Sequence, residues 1–154
     1  MSNKNEIVAI DWIKQNCHDC KFLKLTLNSD QRRVFRGKRI SDCNQEVKLQ
    51  LPREGKLNDG DILLTNHKKI FVQIIAQKEN LIEITAKTKL ELIKVAYHLG
   101  NRHVEIEINE NILFIKSDCI IEELLKNFDV VFLKVEKKFF PETGAFHHEK
   151  KSPS

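Results

Sequence analysis

The sequence is poor in glycine, and this limits the chemistry that it can carry. Its five glycines among 154 residues form neither a Walker loop nor a GxGxxG motif, so nucleotide sites of these two types are excluded. No Ser, His and Asp follow one another in the order of a hydrolase catalytic triad. Paired carboxylates such as Glu105 and Glu107 fit solvated faces of strands or helices. We therefore do not expect an enzyme.

Membrane and export signals are also missing. No window approaches the ~18 consecutive apolar residues of a membrane helix, and the amino-terminal residues lack the apolar core of a secretory signal. These absences predict a cytoplasmic protein with no membrane partner. An apolar fraction of 41% with 31% charged residues is typical of a globular chain, and the length allows one domain or two.

The four cysteines are few and irregularly spaced, which argues against a disulfide framework. In a cytoplasmic protein we expect reduced thiols. Cys17 to Cys20 read CHDC, the CxxC spacing of half a zinc site or of a redox pair. Because no second CxxC and no thioredoxin-type helix follows, a zinc or redox module built on CHDC is only an alternative hypothesis.

Basic residues are concentrated in the first half of the chain. Residues 1–78 contain 15 Lys and Arg against 9 Asp and Glu, whereas residues 79–154 contain 11 against 13. A basic half is compatible with nucleic acid or an acidic protein as partner. The basic side chains are scattered among strand-like segments without interleaved aromatics, so we predict no nucleic-acid partner.

Residues 1–77 predict a small all-β domain. The short apolar runs FLKLTL, VKLQL, DILL and IFVQII alternate with polar or glycine-containing breaks, and no helical period is present. In LPREGKLNDGDIL we expect a strand, a turn through Gly55 and Gly60, and a second strand, because glycine accepts the positive φ of tight turns.

Residues 78–146 begin with a strand and a helix. LIEIT has the alternation and β-branching of a strand. Thr88 and Glu91 fit a capping box that opens the helix TKLELIKVAYHL, and Gly100 is expected to end it. The helical pattern therefore stops directly before GNRHVEIEI.

The second part of this domain predicts a hairpin, a helix and a strand. HVEIEI alternates so that Val104, Ile106 and Ile108 share one face, and a turn at 109–111 leads to the apolar run ILFI. Ser117 or Asp118 is expected to cap a second helix, and VVFLKV closes the series. The order is β-α-β-β-α-β. The predicted fold class is thus α+β, with a ferredoxin-like domain after the all-β domain.

The histidines are the residues most suited to metal chemistry. Imidazole binds Ni, Cu and Zn well and needs no costly deprotonation near pH 7. His98 and His103 flank the predicted helix end, and His147 and His148 lie in a polar tail, residues 147–154, that we expect to be flexible. Neither group is a complete site. A lone histidine is most often structural, but a two-fold axis could complete a site by pairing His103 with its copy.

Several segments resemble the UreE family of urease accessory proteins, which are nickel metallochaperones. They are AYHLGNRH (96–103), FPETGAF (140–146), LKLTLNSDQRRVFRGKR and LQLPREGKLNDGDIL. The resemblance implies an amino-terminal domain that holds extended peptides and a ferredoxin-like domain that binds metal and dimerises. It also implies that the two copies of His103 share one Ni²⁺ and that His147 and His148 add ligands.

The resemblance further implies the partners. These are a second copy of the chain, the urease apoprotein and the UreG GTPase of the maturation complex, to which Ni²⁺ would be delivered for insertion. In vitro the same site could also take Zn²⁺ or Cu²⁺. The rival hypothesis is a peptide-binding scaffold of a maturation complex whose metal binding is incidental.

The chain departs from the family pattern in two places. Some members carry histidines on both sides of the aspartate that begins the second helix, whereas here Ser117 and Cys119 flank Asp118. Cys119 is therefore a secondary candidate ligand, together with His98, and loss of the second metal position is the alternative. An aspartate-glycine turn after the Arg-rich segment is replaced by Asp42-Cys43-Asn44, residues 42–44.

Overall fold

The computed structural model describes residues 5–13, 19–52 and 56–144. The chain divides into two compact units, Met1–Gln77 and Lys78–Ser154. The predictions made for Gly55, for the first residues of CHDC and for the tail concern residues outside the described ranges.

Six strands form one sheet in the amino-terminal unit. They are β1 (Ile7–Ile13), β2 (Lys21–Leu27), β3 (Arg36–Ile40), β4 (Glu46–Gln50), β5 (Ile62–Thr65) and β6 (Ile70–Ala76), with a short 3-10 helix at Gln31–Arg33. The sheet order is β2-β6-β5-β1-β4-β3. The β1–β4 and β2–β6 pairs are parallel and the other neighbours are antiparallel. The predicted all-β class of this half is confirmed.

The sheet curls around a leucine-rich core. Leu23, Leu25 and Leu27 alternate along β2 and are at most 2% exposed, whereas Lys24 between them is exposed. The curl brings the loop after β3 to the opposite edge strand, where the Asp42 amide donates to the Lys24 carbonyl oxygen (2.9 Å). The core of this unit contains Ile7, Ala9, Leu23, Leu25, Leu27, Val47, Leu49, Leu51, Leu57, Leu63, Val72 and Ile74.

Two turns of this unit have residues in the left-handed backbone region. Gly60 has φ +88° and its amide donates to Ile74 (2.8 Å), which confirms the glycine turn at this position. In the Asp42-Cys43-Asn44 turn, Asn44 has φ +65°. Asparagine tolerates this conformation better than most side chains, so the turn forms here without a glycine.

Two strands of this unit were missed by the sequence patterns. Strand β1 lies in the centre of the sheet, between β4 and β5. Its residues are not among the four apolar runs from which strands are predicted. Strand β3 pairs with β4 alone, and its residues RGKRI are mostly exposed. An edge strand with no buried face shows no apolar alternation, so nothing in its pattern indicated a strand.

The thiols differ from expectation at one position. Cys20 is disulfide-bonded, whereas Cys43 and Cys119 are free and exposed. The expectation of reduced thiols is therefore wrong for Cys20. That expectation depends on the cellular compartment, which determines how often disulfides persist. The compartment does not determine which two thiols lie close enough to form a bond. Cys17 and His18 lie outside the described residues, so the zinc or redox hypothesis for CHDC stays untested.

The carboxy-terminal unit has the predicted β-α-β-β-α-β order. Its elements are β7 (Lys78–Ala86), α1 (Lys89–Asn101), β8 (Ile106–Ile108), β9 (Leu113–Lys116), α2 (Cys119–Leu125) and β10 (Val130–Lys138). The sheet order is β10-β7-β9-β8 with antiparallel neighbours. This confirms the ferredoxin-like prediction. Within the described ranges, no helix has the length and apolar character needed to cross a membrane.

The two helices cover one face of this sheet. Their apolar residues pack with alternate residues of β7 and β9 because helical and strand periods place these side chains on facing surfaces. This core contains Ile82, Ile84, Leu92, Val95, Leu99, Ile106, Leu113, Ile115, Ile121 and Leu125. The other face carries a smaller cluster of Leu81, Phe114 and Phe139.

Both helices begin at the residues predicted as caps. Thr88 Oγ1 accepts a hydrogen bond from the Glu91 amide (3.2 Å). Asp118 Oδ1 accepts from the amides of Ile120 (2.8 Å) and Ile121 (3.3 Å), so Asp118, and not Ser117, is the N-cap of α2. Each cap satisfies amides that have no partner inside the helix.

Candidate metal centre

The turn after α1 fixes the backbone at His103. Arg102 is the C-cap of the helix. The Val104 amide donates to the Leu99 carbonyl oxygen (3.1 Å) and the His103 amide donates to Gly100 (3.0 Å). These two bonds form a Schellman motif, in which the residue after the cap adopts the left-handed conformation. That residue is His103, with φ +58°.

The expected helix end at Gly100 is therefore wrong. Gly100 lies inside α1, which continues to Asn101. Glycine is common at the left-handed position of a Schellman motif because it has no Cβ to clash. Here Gly100 lies three residues earlier, and the left-handed position is occupied by His103. This conformation costs an L-residue roughly 1–2 kcal/mol relative to glycine. Backbone strain of this kind is typical of functional positions.

His103 lies at an open pocket of about 530 Å³. One wall is the α1–β8 connection and the other is the junction of β9 with α2. His103 is exposed, so a metal ion can reach its side chain from solvent. The pocket is lined by Arg102, His103, Val104, Glu105, Lys116, Ser117, Asp118 and Ile121.

Lys116 and both carboxylates of this pocket are already engaged with each other or with the backbone. Lys116 Nζ lies 3.4 Å from Glu105 Oε2, and the Asp118 carboxylate caps α2. Both carboxylates are thus held by other groups, and His103 contributes the imidazole. Among the described residues, no three His, Cys, Asp or Glu side chains are grouped closely enough to hold a metal ion. A metal bound at His103 needs ligands from elsewhere.

The other candidate ligands are placed differently. The His98 ring contacts the ring of Phe128, with centroids 5.1 Å apart, and His98 does not line the pocket of His103. Cys119 is a free thiol at the first residue of α2, next to a lining residue without being one itself. His147 and His148 lie outside the described residues. Of the candidate ligands among the described residues, only His103 lines this pocket, and all five ligand predictions remain predictions.

One residue of the unit has a role that the sequence pattern concealed. Glu107 was expected on a solvated strand face, but it is 7% exposed. Its carboxylate accepts from Lys137 Nζ (2.8 Å) and from the Phe140 amide (2.9 Å). Ile108, expected on the apolar face with Ile106, is 50% exposed. The prediction for Glu107 is wrong because the chain after β10 covers this part of the sheet, a contact that local alternation cannot indicate. The prediction for Ile108 is wrong because this residue is the last of the edge strand β8.

Comparison with known proteins gives the family. Residues 79–153 match the model of the UreE urease accessory protein C-terminal domain. A "Urease accessory protein UreE" of Prochlorococcus marinus subsp. pastoris (strain CCMP1986 / NIES-2087 / MED4) is 85% identical over 154 residues, 100% of both chains. The chain belongs to the UreE family. Proteins of the same name are 61% identical in Prochlorococcus marinus (strain MIT 9215), over 97% of this chain and 100% of the relative, and 41% identical in Synechococcus sp. (strain CC9311), over 80% of each chain.

Membership of the UreE family confirms the resemblance stated from the sequence motifs. The chain is a urease accessory protein and not an enzyme. Its function therefore lies in urease maturation and is not catalytic.

Proposed function

We propose that this UreE protein is a nickel metallochaperone that delivers Ni²⁺ to the urease apoprotein in the cytoplasm. The observation that carries the proposal is the left-handed backbone of His103 at the edge of an open pocket. An imidazole is a good ligand for Ni²⁺, and the site is accessible, as transfer of an ion requires. The family supplies the acceptor, because its members are urease accessory proteins.

The metal site in this proposal is completed by a second copy of the chain. Helix α1 leads to the turn of His103 and carries three apolar side chains at i, i+3 and i+7, Leu90, Ile93 and Tyr97, which are 59%, 64% and 65% exposed. Such a stripe on a helix is typical of a surface that binds another protein. Pairing of two α1 stripes about a two-fold axis would bring the two His103 residues toward each other.

The remaining ligands come from the tail in this proposal. His147 and His148 close the coordination shell of the two His103 imidazoles, and Ni²⁺ leaves when the tail moves away. His98 and Cys119 are secondary ligand candidates. The dimer then transfers the ion to the urease maturation complex through contact with the UreG GTPase and the urease apoprotein.

Calorimetric titration with Ni²⁺ tests this function. Metal-free wild-type protein should bind one ion tightly per dimer, with dimer mass checked by light scattering, and His103→Ala should lose that binding. His67→Ala is a matched control, since His67 is a described histidine of the other unit and should not matter. Unchanged tight binding by His103→Ala would contradict the proposal. If a Cys17→Ala, Cys20→Ala variant then lost the metal, the site would belong to CHDC. Full urease activation by His103→Ala in nickel-poor medium would favour the peptide-binding scaffold instead.

A further inference from the structure

Glu105 and Lys116 face each other at the end of the β8–β9 pair that lies next to His103. The ladder of these two strands begins at Ile106 opposite Ile115, and the next residues outward are Glu105 and Lys116. Lys116 Nζ lies 3.4 Å from Glu105 Oε2. Opposite charges directly across two antiparallel strands stabilise their pairing, so this contact taken by itself indicates only a structural ion pair.

The position of the ion pair gives it a second context. Glu105 and Lys116 both line the pocket that contains His103. Glu105 follows His103 by two residues, so their Cα atoms are at most about 7 Å apart. The two side chains of the pair are 29% and 35% exposed. An ion that enters the pocket to reach the imidazole therefore comes close to this half-buried pair.

The formal charges that line the pocket balance each other. Arg102 and Lys116 are cations, whereas Glu105 and Asp118 are anions. A divalent ion would thus add two positive charges beside the Lys116 ammonium. Like charges repel, and the repulsion grows where bulk water is displaced. A pocket that only had to hold such an ion would bind it more tightly without this ammonium.

Glu105 offers the type of ligand atom that complements an imidazole. Sets of nitrogen and oxygen ligands suit Ni²⁺. Asp118 is less available for this purpose, because its Oδ1 accepts from the amides of Ile120 and Ile121. The ion pair of Glu105 is partly exposed, and pairs of this kind are weak. A divalent ion can therefore displace the lysine ammonium from the carboxylate.

We propose that Glu105 is a further nickel ligand beside His103 and that Lys116 competes with Ni²⁺ for its carboxylate. In the metal-free protein the ammonium neutralises Glu105. On binding, the carboxylate exchanges the ammonium for the ion, and on release the ammonium returns. Lys116 thus lowers the affinity and favours delivery of the ion. Glu105 and His103 are two ligands per chain, so the site still needs the second copy. The proposal rests on the nickel-binding function proposed above and deepens it.

A double-mutant cycle tests the competition. Ni²⁺ affinity is measured by competition titration for wild type, Lys116→Met, Glu105→Gln and the double variant. Methionine keeps much of the length of the lysine side chain but not its charge. We expect Lys116→Met to bind Ni²⁺ about two- to fivefold more tightly, the range that an ion pair of this exposure allows, and Glu105→Gln to bind it about tenfold more weakly. Without the carboxylate, Lys116→Met should tighten binding less than it does in the wild-type background.

The rate of nickel release is a second measurement on the same proteins. Nickel-loaded protein is mixed with an excess of chelator, and the absorbance of the chelated metal is followed. Lys116→Met should release the ion more slowly, because no ammonium returns to Glu105. Lys134→Met is the matched control: Lys134 forms an ion pair of 3.5 Å with Glu122, and it lies on β10, the edge of the sheet opposite β8. Its loss removes the same charge and should change neither affinity nor release.

Two results would overturn the competition: an affinity of Lys116→Met that is equal to or weaker than that of wild type, or an unchanged affinity of Glu105→Gln. Misfolding cannot imitate the expected gain in affinity. If thermal unfolding shows that Lys116→Met does not fold, Lys116→Gln takes its place. Failure of the nickel function itself is recognised separately, because His103→Ala would then keep the metal. If His103→Ala loses the metal while Lys116→Met behaves as wild type, only the competition is refuted.

Discussion

The backbone amide of Val104 donates to the carbonyl oxygen of Leu99 at 3.1 Å across the end of helix α1. The turn closed by this bond has one left-handed residue, and it is His103. The backbone there favours glycine, whereas the proposed nickel binding requires histidine, so the two requirements can be separated by mutation.

We predict that His103→Gly stabilises the protein while it abolishes nickel binding. Glycine relieves the left-handed strain, and after allowance for its greater freedom in the unfolded chain the gain should be about 0.5–1 kcal/mol. His103→Ala should give no gain because alanine also has a Cβ. Thermal unfolding of the metal-free proteins checks this, and a lower melting temperature for His103→Gly than for His103→Ala would contradict the strain argument.

We expect nickel affinity to fall as the pH is lowered. A protonated imidazole cannot bind a metal, and imidazole ordinarily titrates near pH 6.5. Each histidine ligand should therefore cost about tenfold in affinity between about pH 7.5 and pH 5.5. Competition titrations at several pH values measure the slope, and His103→Ala serves as the reference for pH effects unrelated to this ligand. An affinity independent of pH would exclude imidazole ligation.

Substitution within the stripe on α1 should change the oligomeric state. Ile93 is 64% exposed, and Ile93→Lys would place a charge in the proposed contact between two α1 helices. We expect size-exclusion chromatography with light scattering to show a shift from dimer to monomer. Leu133→Lys, at a residue of β10 that is 50% exposed, is the control that should leave the dimer intact. A dimeric Ile93→Lys would place the interface elsewhere.

Removal of the α2 cap should destabilise the carboxy-terminal unit. Asp118→Ala leaves the amides of Ile120 and Ile121 without their acceptor, which should cost about 1 kcal/mol. Ser117→Ala should change stability by less than about 0.5 kcal/mol, because Ser117 is exposed and is not the cap. Urea unfolding followed by circular dichroism compares the two variants, and equal effects would refute the assignment of the cap.

The exposed Cys43 thiol should react quickly with alkylating agents. A hydrogen bond with the Ser41 hydroxyl, 3.3 Å from Cys43 Sγ, is the main cause that holds the pKa of this thiol below its ordinary value. At a fixed pH below the pKa, a lower pKa means more reactive thiolate. Ser41→Ala should therefore slow alkylation of Cys43 by iodoacetamide, measured by peptide mass spectrometry with Cys119 as the internal reference. An unchanged Cys43 rate would contradict the role of Ser41.

Local patterns predicted the carboxy-terminal unit well because its elements are defined by short-range signals. Thr88 and Asp118 begin helices through bonds to amides two or three residues ahead, and these spacings are visible in sequence. The hairpin turn is equally local, since the Asn109 amide donates to the Ile112 carbonyl oxygen (3.0 Å). In each case the donor and acceptor residues are fewer than four positions apart in the sequence.

The failure at Glu107 has the opposite origin. The burial of Glu107 depends on Lys137 and Phe140, about thirty residues away in sequence, and alternation along β8 contains no information about them. The left-handed conformation of His103 also escaped, because Gly100 offered the more usual helix end. The motif GNRH directed attention to His103, but the left-handed conformation of this residue became visible only in the backbone.

The pairing of β7 with β10 has a consequence for synthesis of the chain. The ladder runs from Val130 opposite Ala86 to Lys138 opposite Lys78, so the first strand of the carboxy-terminal unit keeps one edge open until the last strand has been made. Pairings this distant in sequence form slowly, and an open strand edge is a site of wrong association. During translation the amino-terminal unit can be complete while β7 still lacks its partner strand β10. The newly made chain is thus exposed to wrong association through the open edge of β7 for as long as β10 is missing.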